Sequence, residues 1–418
     1  MKIAIVGAGI VGITTAWELA CDGHEVVVFE RRGAAAEETS FANAGLIAPG
    51  HVAPWAAPGM RAKVLGSLLG RTSPIRLRWP LGARELGWML RWQRACKLET
   101  HLANRSRLQR LALYSRERLH QLTGARELDY ERSDGCLVLL RTARERKDAQ
   151  PGLDLLRAAG AVFSEIDAEA ACKIEPALNA ATPLAGAIHL PRDEVANCRQ
   201  FALLLKREAE GLGVQFHFDC DIAPLSRAAP RSLSLAAGSP AHAFDAVVVC
   251  AGLDSHRLLR PLGLHVPMVP VHGYSISVHI REPLHAPRSA VVDERHKVAI
   301  TRLGRRVRVA GGGELGGVPD RLDPAALKTL YQVLQDWFPG AATLQSGVQQ
   351  WKGARPMLPD GPPVLGASGV PGVWLNLGHG ASGWTLACGS ARVVADAIAG
   401  REAGVDLEGL GIERLLGL

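Results

Sequence analysis

Residues 2–30, KIAIVGAGIVGITTAWELACDGHEVVVFE, decide the fold. KIAIV at 2–6 is a short apolar run that ends at Gly7, and EVVVFE at 25–30 is a second. Runs of this length, rich in β-branched residues, read as buried strands. Between them IVGITTAWELAC at 10–21 reads as a helix, closed by Asp22-Gly23. A strand, a helix and a strand within about 30 residues make a βαβ unit, and so a parallel sheet.

The turn between strand and helix is Gly7-x-Gly9-x-x-Gly12, and Glu30 ends the second strand. Each part has a physical task in holding a dinucleotide. Gly7 permits the tight turn, Gly9 lets a pyrophosphate approach the backbone, and Gly12 lets helix and strand pack closely. The first helical turn, with Ile10 and Val11, offers free N–H groups and a partial positive charge to the phosphates. Glu30 suits ribose hydroxyls and would repel a ribose 2′-phosphate, although Arg31 and Arg32 lie beside it.

Working outward, residues 101–122 and 199–211 read as helices, and 135–140, 214–218 and 245–250 as strands. Alternation in VPVHGYSISVHI and KVAITRLGRRVRVA makes 266–313 a region of antiparallel strands and turns. Residues 325–338 read as a helix, and VWLNL at 373–377 as a strand. GHGASG follows, and then a helix from about Trp384 to Ile398. The fold class is therefore α/β, a Rossmann-like nucleotide-binding domain with an inserted antiparallel-sheet substrate domain. The expected division gives 1–50, about 150–262 and 351–418 to the first domain. It gives 51–149 and 263–350 to the second, with a basic helical insert near 61–97.

The 418 residues carry a formal charge of +7 and are 47% hydrophobic, which argues against disorder. No run of 18 apolar residues predicts a spanning helix. The N-terminal stretch lacks the small-residue cleavage site of a signal peptide. Eight scattered cysteines without a CxxC pair read as free thiols of a reducing cytoplasm. The histidines form no HxH, HExxH or His/Cys cluster, so no metal is predicted. Nor does an aromatic-basic motif for nucleic acid appear.

Two further segments favour FAD over NAD. Ser40-Phe41-Ala42-Asn43-Ala44-Gly45 is small and polar, suited to line an extended ribityl-phosphate stretch. The second glycine-rich loop, 378–383, again precedes a helix. Its N–H groups and helix dipole would stabilise negative charge on a reduced flavin; the bland alternative is a plain helix cap.

The chain resembles the bacterial D-amino acid dehydrogenase family, within the glycine oxidase/D-amino acid oxidase class of flavoproteins. The matching stretches are AIVGAGIVGITTAWELA (4–20), ETSFANAG (38–45), APWAAPG (53–59), GYSISV (273–278), KVAITR (297–302), GARPMLPDGPPVLG (353–366) and NLGHGASGWTLACGS (376–390). They span almost the whole length. The resemblance implies two domains and an FAD held by Gly7, Gly9, Gly12 and Glu30, with Ser40, Asn43, Ala44, Gly45 and Leu46 along its middle. It puts Ile222 by the adenine, and Cys250, Ala251 and Gly252 near the pyrophosphate. Gly378, His379, Gly380, Ala381, Ser382, Gly383, Trp384 and Thr385 would surround the flavin. Arg355 matches the arginine that grips the substrate carboxylate. The chain departs from the family at His272 (lysine in relatives), at Ala381-Ser382 (Thr-Leu) and at Ala196-Asn197 (often Gly-Asp).

The implied reaction is oxidative deamination of a D-amino acid to a 2-oxo acid and ammonia, by hydride transfer from the substrate α carbon to flavin N5. Arg355 would clamp the carboxylate through a bidentate, charge-assisted pair; its alternative is a structural ion pair near a Pro-rich turn. Tyr274 and His272 share one face of a strand and belong either to the pocket or to the core. His51 and His379 are further substrate-site candidates, His379 alternatively a loop histidine turned to solvent. Gly311-Gly312-Gly313 reads as a strand-end turn rather than a phosphate loop. Residues 61–97 hold nine Lys or Arg, one acid, Glu85, and Trp79, Trp88 and Trp92. They form either a peripheral contact with the anionic inner face of the cell membrane, where electrons pass to a quinone, or a solvated helical insert. Rival readings are an O₂-using amine oxidase of the glycine or sarcosine type and a non-catalytic NAD-binding module.

Overall fold

The computed structural model describes residues 1–60, 64, 75–319 and 321–415. The βαβ unit sits at the middle of a six-stranded sheet. Strand order is Val364–Ala367, Val373–Leu377, Ala246–Val249, Lys2–Val6, Glu25–Phe29, Gln215–His217. All neighbours run parallel except the first pair. Lys2–Val6 is apolar at every buried position because both faces are covered. Ile3 and Ile5 join Val26, Val28, Ala246 and Val248 beneath the helices Ile10–Cys21, Cys198–Gly211 and Gly383–Ile398. Ala4 and Val6 face the other way with Val27, Val247 and Val249, against Leu258, Leu259 and Leu358. Truncating a fully buried side chain such as Ile5 to alanine costs about 2–5 kcal/mol.

The second sheet holds ten described strands. Its path is Gln349–Met357, Val269–His279, Arg306–Gly316, Val298–Leu303, Ala290–Asp293, Ser133–Leu140, Gly186–Val195, Leu46–Ile47. Ile75–Arg78 pairs with Arg306–Gly316, and Ser164–Ile166 with Gly186–Val195. The alternation of 269–279 divides its two faces. Ile276 and Val278 pack with Leu330, Val333 and Trp337 of the helix Pro324–Trp337. Ser275 and Ser277 face the opposite way, toward the 42–45 segment, where the Ser275 hydroxyl donates to the Ala42 carbonyl at 2.8 Å.

Sheet membership departs from the expected domain boundaries. Residues 150–262 contain strands of both sheets, because Ser164–Ile166 and Gly186–Val195 pair in the larger one. The helix Leu98–Gly124 falls in a range assigned to the substrate domain. It nevertheless buries Leu108, Leu111, Leu119 and Leu122 in the core under the nucleotide-binding sheet. Its register is fixed by a buried ion pair, Arg118 Nε to Glu18 Oε1 at 2.7 Å, with the Arg392 guanidinium on the second oxygen at 2.8 Å. Gly311-Gly312-Gly313 is not a strand-end turn. It lies inside Arg306–Gly316, where the pairing shifts opposite His272 and Tyr274, and Gly312 takes φ +73°.

Candidate active site

A groove enclosing about 920 Å³ runs across the carboxyl ends of the parallel strands. Gly7, Gly9, Ile10, Val11, Glu30, Arg31, Ser40, Ile222, Cys250, Ala251, Gly252, His379, Gly380 and Gly383 all line it. Open α/β sheets bind ligands at this edge. The glycines are dictated by space. A Cβ on Gly7, whose φ is +109°, would stand 2.6 Å from the Cys250 carbonyl oxygen, and one on Gly12 would overlap the Gly7 carbonyl. The helix Ile10–Cys21 starts at Gly9 without a side-chain cap. The Ser40 hydroxyl instead accepts the Ile10 N–H at 3.0 Å. The helix Gly383–Ile398 also begins at this groove without a side-chain cap. Two helix N-termini, the first with its Ile10 N–H taken by Ser40, therefore point positive ends at one cavity, the arrangement a pyrophosphate needs.

Glu30 is held ready at the ribose end. Its Oε2 accepts the Ala8 N–H at 2.7 Å and its Oε1 the Arg32 N–H at 2.9 Å. Each oxygen keeps further acceptor capacity. Arg31 and Arg32 both turn to Glu38, at 2.6 and 2.8 Å, and Arg31 also lies 3.9 Å from Asp254, so both guanidiniums are engaged by acids. These residues fit the ADP half of a dinucleotide.

The middle segment is locked from beneath by the larger sheet. Asn43 Oδ1 accepts the Gly45 N–H at 2.9 Å, and Gly45 takes φ +78°. Thr301 Oγ1 donates to the Ala44 carbonyl at 3.0 Å and Arg308 Nη1 to the Asn43 carbonyl at 3.1 Å. Arg308 is buried, and desolvation brings its pKa down to about 10. Thr385 Oγ1 donates to the Leu46 carbonyl at 3.2 Å and accepts the Ala48 N–H at 3.3 Å. Trp384 packs on Phe201 and donates to the Ala196 carbonyl at 3.3 Å. Asn43, Ala44, Gly45, Leu46, Gly378, Ala381, Ser382, Trp384 and Thr385 thus lie around the groove's framework rather than on its lining. At the departure Ala196-Asn197, the Asn197 side chain caps the helix Cys198–Gly211.

Arg355 lies on the strand Gln349–Met357, half-buried, its pKa lowered to about 10 by desolvation. Among the described residues no carboxylate comes within ion-pair distance of it, which removes the structural ion pair as its role. Its Nη1 donates to the Gly312 carbonyl at 2.8 Å, and its guanidinium carbon lies 5.6 Å from the centre of the Trp55 ring. Among the described residues the remaining N–H groups have no hydrogen-bond partner. A half-buried cation with no counter-charge is suited to an anionic ligand.

The other candidates separate. Tyr274 and His272 share a face, but the wrong one for Arg355. A Cβ on Gly273, the residue between them, would overlap the Arg355 guanidinium, so side chains at 272 and 274 project from the opposite surface. There Tyr274 donates to Glu314 Oε2 at 2.8 Å, and Lys352 holds the other Glu314 oxygen at 2.8 Å. Burial and the Glu314 carboxylate push the Tyr274 pKa up. Tyr274 and Glu314 line a second cavity, with Gly311 and Leu330, behind the sheet. His272 is buried beside Lys352 and Glu314, with its Nδ1 unpartnered among the described residues. His51 is exposed, on the turn after Ala48. His379 is not turned to solvent. It is buried, its Nε2 lies 3.0 Å from Ser390 Oγ, and burial pushes its pKa down to about 3. Sequence reasoning passed over Trp55, although it stands inside the APWAAPG motif, and also Asp193 and Arg308, which carry no local motif.

Residues 2–397 match the family described as FAD dependent oxidoreductase (DAO). The chain is 44% identical to the D-amino acid dehydrogenase of Cereibacter sphaeroides over 416 residues, covering 99% of this chain and 95% of that one. It is 42% identical to that of Rhizorhabdus wittichii, covering 99% and 100%. The fold is similar to glycine oxidase from Geobacillus kaustophilus (TM-score 0.73, 22% identity, 98% of each chain). It is similar also to iminodiacetate oxidase from Chelativorans sp. BNC1 (TM-score 0.74, 22% identity, 98% of each chain). FAD is the cofactor that the groove's glycines, helix N-termini and Glu30 fit, and the chain belongs to this family of FAD-dependent oxidoreductases.

Proposed function

We propose that the protein oxidises D-amino acids at the Cα–N bond, giving 2-oxo acids and ammonia. The observation that carries the acid-binding half is Arg355, a half-buried guanidinium with no acidic partner among the described residues. The whole-length likeness to enzymes named D-amino acid dehydrogenase supports the hand of the substrate. FAD, when bound, supplies the two-electron acceptor that the reaction requires.

The chain's own residues do the rest. Arg355 binds the substrate carboxylate edge-on while the Gly312 carbonyl holds its Nη1. Thr39 ties the same strand to the nucleotide groove, donating to the Ala354 carbonyl at 2.7 Å. Trp88 ties it from the other side, donating to the Met357 carbonyl at 2.9 Å. The cationic, partly desolvated surroundings favour loss of the substrate ammonium proton. His379 is neutral at physiological pH and steadies the 378–383 loop through Ser390 rather than presenting charge. Water then hydrolyses the product imine.

For the electron acceptor, we infer a quinone or another carrier reached at an anionic membrane surface. No helix among the described residues is long and apolar enough to cross a membrane. On the helix Ala83–Ala95, Leu86 and Leu90 are exposed in one stripe with Arg94, and Trp79 is 76% exposed just before it. Such a stripe suits peripheral docking. Trp88 and Trp92 do not contribute, since they stack in the core. Arg76 and Arg78 are paired with Asp323, at 2.9 and 2.5 Å. Part of the 61–97 stretch lies outside the described residues. Co-sedimentation with anionic vesicles should be lost in a Leu86→Ser/Leu90→Ser variant; binding that survives it contradicts the docking. A panel of D- and L-amino acids with an artificial acceptor, with and without oxygen, tests the reaction. D-selective turnover without peroxide is expected. Turnover confined to L-amino acids, or peroxide matching substrate consumed, would overturn the reading.

A further inference from the structure

Arg355 does not stand alone in its recess. It shares one face of the strand pair Val269–His279 and Gln349–Met357 with two tryptophans. Gly273 and Gly353 face each other directly across this pair. The Arg355 guanidinium occupies the space a Cβ on Gly273 would take, and the Trp351 six-membered ring occupies that of Gly353. Cation and indole therefore lie side by side on a floor of two glycines. Trp55 covers the guanidinium from another direction, 5.6 Å from its ring centre. Behind Trp55 stands an apolar cluster that includes Ala56, Trp88, Val269, Val271 and Met357.

We propose that Trp55 is a substrate-positioning and specificity-determining residue of this site. The inference rests on the reading of Arg355 as the carboxylate clamp. Its physics is separable. An arginine has five N–H donors on a planar fork, and a carboxylate pairs with it only along an edge. Trp55 bounds one side of the guanidinium at cation–π range and Gly312 takes one donor, so fewer directions are left for a carboxylate. The same cation–π contact helps hold the fork, so less side-chain freedom is lost when substrate arrives. The same indole, backed by the apolar cluster, is the wall that a substrate side chain leaving Cα near Arg355 meets. Removing the ring should therefore weaken the grip on any carboxylate and change which side chains are tolerated, while leaving the nucleotide groove intact.

The test uses FAD-loaded wild type, Trp55→Phe and Trp55→Leu. Benzoate, a carboxylate that cannot react, is titrated by its perturbation of the flavin absorbance. The kcat and KM for D-alanine and D-phenylalanine are then measured with an artificial acceptor. Trp55→Leu should raise the benzoate Kd and the D-alanine KM about tenfold, with kcat changed by less than about threefold. The ratio of kcat/KM for D-phenylalanine over D-alanine should rise about threefold or more as the wall recedes. Trp55→Phe should fall between, and it decides the matter if the leucine variant does not fold. A benzoate Kd and a substrate ratio equal to wild type in the folded variants would overturn the proposal. Loss of FAD from Trp55→Leu with an unaltered Trp55→Phe would also overturn it, by making the residue structural. Wild type that ignores benzoate and every D-amino acid would instead sink the clamp reading beneath it.

Discussion

Gly273 sits so closely beneath the Arg355 guanidinium that a Cβ there would overlap it, and any other residue must push the guanidinium aside. The residue without a side chain gives the arginine a flat bed on an otherwise continuous strand. Gly273→Ala should displace the guanidinium and leave the nucleotide groove untouched. The expected result is a KM for D-amino acids raised about tenfold or more, with FAD content unchanged. Steady-state kinetics on protein of measured flavin content checks this, and an unchanged KM would place the functional guanidinium elsewhere.

Arg355 itself carries a larger stake. Truncating one partner of a desolvated charge pair costs about 2–5 kcal/mol. Arg355→Ala should therefore lower kcat/KM by about a hundredfold or more, chiefly through KM. Arg355→Lys should recover only part of this, because an ammonium cannot reproduce the edge-on pair. Equal kinetics for the lysine variant and wild type would show a point charge to be sufficient.

Glu30 belongs to the cofactor, not the substrate. Its carboxylate is oriented by the Ala8 and Arg32 N–H groups at 2.7 and 2.9 Å. Glu30→Ala removes the ribose acceptor and leaves those two donors unmet. Its FAD should dissociate about tenfold or more readily on dilution or gel filtration. Substrate KM of the fraction that retains FAD should stay near wild type. Full FAD retention would show that the ribose is held by other groups.

Asp193 should make stability depend on pH. It is buried, accepts the Gly50 N–H at 3.0 Å through Oδ1, and its Oδ2 has no partner among the described residues. Burial pushes its pKa up to about 7. A raised folded-state pKa stabilises the fold fully below the carboxyl's ordinary pKa of about 4, and that stabilisation is lost as pH rises toward 7. Asp193→Asn removes the ionisation. The variant's Tm should exceed wild type at pH 7.5, and the gap should close on acidification to about pH 4. Parallel Tm curves across this window would contradict the assignment.

The sequence alone predicts the nucleotide half in detail, because its physics is local. Gly7, Gly9, Gly12 and Glu30 stand within 24 consecutive residues; the positive φ of Gly7, the Gly7 carbonyl against Gly12 and the N–H groups on Glu30 are local, and the Cys250 carbonyl against Gly7 is the distant addition. Alternation in 269–279 correctly puts Tyr274 and His272 on one face. Which face sees the substrate depends on the partner strand, and only pairing with Gln349–Met357 reveals that Arg355 takes the other side. Residues 101–122 read as a helix from their leucines, yet nothing local says that Glu18, far away in the chain, will claim Arg118 and share its second oxygen with Arg392. Arg308 looks like any strand arginine; its role under Asn43 depends on a contact 265 residues away in sequence. Trp88 and Trp92 combine with nearby arginines into an interfacial pattern, but their helix turns them inward.

The central claim is a flavin held across this groove with an acid group gripped beside it by Arg355. Anaerobic addition of D-alanine to the purified, FAD-loaded protein tests it most directly. The oxidised-flavin absorption should bleach with D-alanine and not with L-alanine. Arg355→Ala, with FAD still bound, should require far more D-alanine for the same bleaching. A colourless protein that takes up no FAD, or an Arg355→Ala variant reduced at the wild-type concentration, would contradict the claim.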